Sequence, residues 1–146
     1  MKGLPNESEL ARSLANGFLE ERGSIVKRAK QLTVCLPNKP GMLARVCRVL
    51  AEAKLNIRAI SVADATEACL VRVVADDSKA AAKALEAEGI QVTQTAVRVV
   101  ELPNKVGALA EWAERMSKRK VNVNYVYGSA PAAGRKAILV VEANSS

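Results

Sequence analysis

The chain has 146 residues, 49% of them apolar, 25% charged and 3% aromatic, with a formal net charge of +7. These proportions lie near the globular average and exclude wholesale disorder, and no apolar run approaches the ~20 residues of a membrane-spanning helix. Histidine is absent, which removes the commonest general base and the commonest metal ligand together.

Residues 1–30 read as an N-terminal helical extension. Asn6 and Glu9 resemble a capping box, Gly23 marks a stop, and Leu10, Leu14 and Phe18 form an apolar stripe. Such a stripe needs cover, because an isolated helix of this length is marginal in water. The start, Met1–Pro5, lacks the basic-then-apolar order of a secretory signal. A β-rich alternation over Gln31–Leu36 predicts a first strand, followed by the turn LPNK. Pro40 then opens a helix, where its missing N–H costs nothing, with Leu43, Val46, Cys47 and Leu50 as the apolar face. Asn56 enters a second strand, a hairpin over Asp64–Glu67 returns into Ala68–Ala75, and Asp76 and Asp77 signal a helix start. That helix spans Ser78–Ala87, with Ser78 as cap and Gly89 closing it, and a strand over Ile90–Thr95 follows.

From Ala96 the pattern begins again. Residues 36–62, LPNKPGMLARVCRVLAEAKLNIRAISV, align without a gap on residues 102–128, LPNKVGALAEWAERMSKRKVNVNYVYG, at an offset of 66. Leu36, Pro37, Asn38, Lys39, Gly41, Leu43, Ala44, Lys54 and Asn56 are identical to their partners, so the matches gather in a loop and at one later asparagine. The second copy predicts a strand over Ala96–Leu102 and a helix with Leu109, Trp112, Ala113 and Met116 on its apolar face. It continues with a strand from Asn122, a turn over Ala130–Gly134 and a strand over Lys136–Ala143. Lys118, Arg119 and Lys120 fall at the helix end, where cations suit the dipole, and read as a solvated terminus rather than a nucleic-acid patch.

The first unit, 31–96, thus reads as βαββαβ, a ferredoxin-like α+β module. The second unit, 97–146, lacks its last helix and strand. The expectation is that the N-terminal helix covers the sheet face left bare there.

LPNKPGML followed by AEAKLNIRAISVAD, and LPNKVGAL followed by KRKVNVNYVYG, resemble the ACT domains, small βαββαβ modules that bind amino acids and regulate metabolic enzymes. The arrangement looks most like tandem ACT proteins without a catalytic domain. In that family a loop of the type N-[KR]-P-G leads into the first helix, an asparagine opens the second strand, and modules pair edge to edge with amino acids at the junction. Val106 departs from the loop pattern by replacing its proline. The resemblance implies a tandem pair of ACT units in a small regulatory protein, with a free amino acid as ligand, a homodimer as the assembly and a metabolic enzyme as a possible partner.

The ligand-binding candidates are Asn38, Gly41, Met42, Leu43, Asn56 and Asp64 in the first unit, and Asn104, Gly107, Ala108, Leu109 and Asn122 in the second. A helix start offers unpaired N–H groups to a carboxylate, glycine admits close approach to the backbone, and asparagine can serve either a carboxylate or an ammonium. Asparagine before a helix is also a plain cap, and Asp64 fits a hairpin turn as well as an ammonium. The first loop, with its proline, is the favoured site; the Val106 loop is expected to be looser.

Neither an active site nor a metal or other cofactor is expected, since there is no phosphate-cradling G-x-x-x-x-G-K motif and no paired acids on one face. Cys35, Cys47 and Cys69 follow neither a disulfide nor a zinc spacing and read as small buried hydrophobes in a reduced, cytoplasmic protein. Ferredoxin-like sheets also bind RNA, but only Tyr125 and Tyr127 offer rings for stacking, so neither nucleic acid nor membrane is expected as partner. A ligand-free interaction scaffold is the alternative function.

Overall fold

A computed structural model describes residues 25–65, 67–130 and 135–145. The expected N-terminal helix and its covering role lie outside these residues, but Ile25–Lys30, counted with that helical extension, are strand. The described elements run β1 (Ile25–Pro37), α1 (Met42–Glu52), β2 (Ile57–Ala65), β3 (Ala68–Ala75), α2 (Ser78–Ala87), β4 (Thr93–Leu102), α3 (Ala108–Lys118), β5 (Val121–Ser129) and β6 (Ala137–Ser145). This is the expected α+β order, with the second unit ending on its third strand. No described helix is long and apolar enough to cross a membrane.

Of the described residues, Ala29–Ala96 form one compact unit; Val97–Ser145 and Ile25–Arg28 belong to the other. In the first, β3 lies between β2 and β1, antiparallel to both, with Val71 opposite Val62 on one side and Val34 on the other. Alternate residues of these strands point one way, and Leu32, Val34, Leu36, Val71 and Val73 meet Val46 and Leu50 of α1 and Ala81, Ala82 and Leu85 of α2. In the second, β6 lies between β4 and β5, with Leu139 opposite Val100 and Gly128. Its core joins Val100, Leu102, Leu139 and Val141 to Trp112 and Met116 of α3, and Val26 packs against the cluster.

The repeat extends to backbone irregularities. A register shift interrupts β2 between Ile57 and Ala59, and one interrupts β5 between Val123 and Tyr125, at the same offset of 66. Lys54 and Lys120, one of the identical pairs, both adopt the left-handed conformation just after their helices, at φ 59° and 58°.

Several local expectations are corrected. Pro40 is not the first helical residue: Gly41, at φ 91°, caps α1, so the helix begins at Met42. The inward stripe therefore runs through Met42, Val46, Val49 and Leu50, leaving Leu43 exposed and Cys47 half-buried. Gly107 caps α3 in the same way at φ 87°, and there Leu109 and Ala113 face outward while Ala108, Trp112 and Met116 are buried. Only Cys69 of the three cysteines is buried; Cys35 is exposed, because its strand position faces away from the core side chains of Val34 and Leu36. The strands expected over Ile90–Thr95 and Ala96–Leu102 are replaced by one continuous strand, β4, which begins only at Thr93 and leaves Ile90–Val92 outside it. No glycine, proline or asparagine lies in TQTAVRVVEL to break it.

The cap of α2 is Asp77 rather than Ser78: its carboxylate accepts from the Ala80 N–H at 3.0 Å. Asp77→Ala is expected to cost about 0.5–2 kcal/mol, read as a lower denaturation midpoint at unchanged slope. Ser78→Ala should leave the midpoint within about 0.5 kcal/mol of wild type.

Candidate functional site

The two copies of LPNK fold alike because the same short-range bonds form in each. The Lys39 N–H donates to the Pro37 carbonyl at 3.0 Å, and the Lys105 N–H to the Pro103 carbonyl at 3.0 Å. Asn38 and Asn104 thus sit at the centre of three-residue turns. The chain then needs one left-handed residue to enter the helix, which Gly41 and Gly107 supply. The first intrahelical bonds come from the N–H groups of Arg45 and Glu111, to the carbonyls of Gly41 and Gly107 at 3.0 Å. The N–H groups of Leu43 and Ala44, and of Leu109 and Ala110, precede those bonds, and a glycine cap has no side chain to offer them.

In the second unit this helix start borders a cleft of about 270 Å³. One wall is the loop and first turn: Pro103, Asn104, Lys105, Ala108 and Leu109. The other is the far end of β5 and its partner strand: Gly128, Ser129 and Ala130 with Ala137 and Leu139, and Leu102 also contributes. Strand register explains the meeting, since Leu102 is opposite Ala137 on one side of β6 and Gly128 opposite Leu139 on the other. The described lining is mainly apolar, Lys105 is the only charged residue among these described residues, and Asn104 and Ser129 supply side-chain polar atoms. Drug-sized ligand pockets span about 300–1,000 Å³, so a cleft just below that range suits a small metabolite rather than a nucleotide.

Of the expected site residues, the cleft brings together Asn104, Ala108 and Leu109, with Gly107 as the adjoining cap. Asn122 lies near the opposite end of β5 from Gly128, roughly 20 Å away at ~3.4 Å per residue. There its Nδ2 donates to Asn124 Oδ1 at 2.8 Å, and Asn124 Nδ2 donates to Glu142 Oε2 at 2.7 Å. In the first unit Asn38 is exposed, with its N–H donating to the Glu67 carbonyl at 3.3 Å. Asn56 is exposed and its carbonyl accepts the Asp76 N–H at 3.1 Å. Met42 packs against the first core, whereas Leu43 is exposed beside Gly41. Asp64 is in β2 opposite Cys69, so it belongs to a strand end rather than to the turn itself.

Lys105, Gly128, Ser129, Ala137 and Leu139 were not among the expected residues. A glycine inside a strand pattern is a signal of close backbone approach, and Gly128 carries it. Away from the cleft, burial, reinforced by the Arg28 guanidinium, lowers the pKa of Arg98, which remains a cation. Among the described residues no group of histidine, cysteine, aspartate and glutamate side chains could hold a metal ion.

The family model described as an ACT domain pair matches residues 27–146. The chain belongs to the ACT domain pair family. The crystal structure of protein BT0572 from Bacteroides thetaiotaomicron is similar to this ACT pair at 32% identity and a TM-score of 0.75, over 81% of each chain. The regulatory subunit of aspartate kinase from Thermus thermophilus, in a ligand-free form, matches with a TM-score of 0.61 and 15% identity, over 81% of this chain and 85% of that one. The aspartokinase alpha and beta subunits match with a TM-score of 0.59 and 16% identity, over 82% and 86%. At those identities the two kinase structures speak to the fold alone. A search of curated proteins finds no match.

Proposed function

We propose that this ACT pair is a non-catalytic regulatory protein that binds a free amino acid and acts through a partner enzyme or through its own assembly. The observation that carries the reading is the cleft at the Asn104 loop, where a helix start without a side-chain cap, an asparagine and a lysine border an apolar wall. A carboxylate suits the helix start, and asparagine can also accept from an ammonium. Membership of the ACT family supports an amino acid as ligand and a regulatory role. Regulation requires that the ligand bind two states unequally.

A thermal-shift series with the twenty amino acids on the full chain tests this. A specific ligand should raise the melting temperature, by the equivalent of about 2.7 kcal/mol at a hundredfold excess over Kd, and Asn104→Ala should reduce the rise. If no amino acid moves the transition, the reading is wrong.

The second reading is an interaction scaffold that binds nothing small. It is favoured by Leu43, Ile60 and Val62, apolar side chains of the first unit that are 40–48% exposed. Such surface commonly marks a protein contact. Sedimentation at increasing protein concentration, with and without each amino acid, separates the two. Self-association indifferent to every amino acid would favour the scaffold.

A further inference from the structure

The cleft has a counterpart position in the first unit, and the two differ systematically. Register fixes the equivalence. Leu36 opposite Cys69 corresponds to Leu102 opposite Ala137, and Val62 opposite Val71 corresponds to Gly128 opposite Leu139. Loop and helix residues follow the offset of 66, so Met42 corresponds to Ala108 and Asp64 to Ala130. At four of these places, Met42, Val62, Cys69 and Asp64, the second unit has the smaller side chain: Ala108, Gly128, Ala137 and Ala130. The exchanges of Val71 for Leu139 and of Ala63 for Ser129 run the other way and do not offset the other four. Met42 is already packed against the first core and Cys69 is buried in it.

The charges differ as well. Among the described residues lining the cleft Lys105 alone is charged, and Ala130 stands where the first unit has Asp64. The first unit keeps the equivalent Lys39 but sets a carboxylate at the strand end, which would repel an anionic ligand. Among the described residues lining the cleft there is no acid with which to select an ammonium, so the ligand's carboxylate and apolar body carry recognition.

We propose that each chain binds one ligand, in the second unit's cleft, and that this ligand is a small aliphatic carboxylate. This rests on the ligand-binding reading above and narrows it to one unit and one chemistry. An α-amino acid and the corresponding 2-oxo acid share that chemistry.

The test is an amide-resolved NMR titration of the full chain with isovalerate, leucine and 4-methyl-2-oxopentanoate, paired with calorimetry. Shifts are expected at Asn104–Leu109 and Gly128–Ala130, saturating at one equivalent per chain. Ala108→Met, which installs the first unit's side chain, should weaken binding by about tenfold or more, and Met42→Ala should leave it unchanged. Ala130→Asp is at an exposed position, so it tests the charge argument without loading the core. It should weaken the carboxylates while leaving uncharged isobutanol unaffected.

Shifts at Asn38–Leu43 or Val62–Asp64, two equivalents per chain, or indifference to both Ala108→Met and Ala130→Asp would overturn the assignment. Binding of isovalerate and the oxo acid without leucine, and without any of the twenty amino acids, would uphold the cleft while defeating the amino-acid reading. Leucine seated at the first loop would do the reverse. Silence from all three probes overturns the cleft assignment, and the twenty-amino-acid series then decides the broader reading by itself.

Discussion

Trp112→Ala is expected to destabilise the second unit by about 3–5 kcal/mol. Trp112 is 2% exposed and sits in a core shared with Val100, Leu102, Met116, Val121, Leu139 and Val141, drawn from three strands and one helix. Tryptophan is the largest apolar body available. In a unit with one described helix over its sheet, no second helix is present in the described residues to close the space that truncation leaves. The remaining core residues are aliphatic side chains and one methionine, and collapse onto the void would have to bend α3 towards the sheet. Native domains are stable by only about 5–15 kcal/mol, so the loss is a large share of the total. Circular dichroism under urea is the suitable probe, because the substitution removes the chain's only tryptophan. A midpoint within about 0.5 kcal/mol of wild type would show that Trp112 does not hold this core together. Trp112→Phe should cost less than alanine, since it keeps an aromatic ring in the space.

The elements most legible in the sequence were those whose local chemistry admits one solution. CLVRVV alternates between turn residues, and β3 occupies Ala68–Ala75 as expected. The doubled LPNK loop carried the family because identical residues make identical short-range bonds, as the matching bonds at Lys39 and Lys105 show. Helix orientation was less legible. Met42, Leu43, Val46, Cys47, Val49 and Leu50 form two overlapping stripes, and periodicity alone permits either. The left-handed Gly41 and the sheet beneath α1 select the one that includes Met42 and Val49. Asp77 and Ser78 are both good caps, and only the carboxylate's bond to Ala80 N separates them.

The cleft was not legible because its walls are joined by register, not by spacing. Asn104 and Ala137 are far apart in sequence, and nothing in either neighbourhood announces the other. Once Leu102 is set opposite Ala137 and Gly128 opposite Leu139, the small residues fall together. The proline of the first loop does not give its turn bonds different from those of the second. Both loops turn the same way, with Val106 fully exposed in the second, and what differs between the units is the size of the side chains behind them.

Gly128→Ala is expected to lower stability by about 1–3 kcal/mol and to abolish ligand binding at the cleft. A Cβ there would overlap the Ile138 carbonyl oxygen and would lie 2.6 Å from Leu139 Cδ2 and 3.0 Å from Leu139 Cα. Two of those three atoms are backbone, so rotating a side chain cannot relieve the crowding; β5 and β6 must move apart where they form the cleft wall. Removing a glycine from the unfolded chain would return only about 0.4–1 kcal/mol, so the sign is set by the contact. Gly107→Ala offers a contrast with a different cause. Its added Cβ meets nothing within 4 Å, but its φ of 87° is a conformation that side chains disfavour, at a cost of about 1–2 kcal/mol. Trp112 fluorescence reports both, since the chain's only tryptophan lies in the same unit. Gly128→Asn should be no better tolerated than alanine, because a side chain suited to left-handed backbone does not relieve a clash. Gly107→Asn should recover part of the alanine loss, because asparagine tolerates that conformation. If asparagine rescued position 128 and failed at 107, the causes assigned to the two glycines would be reversed, and the close approach of β5 to β6 would no longer account for the cleft wall.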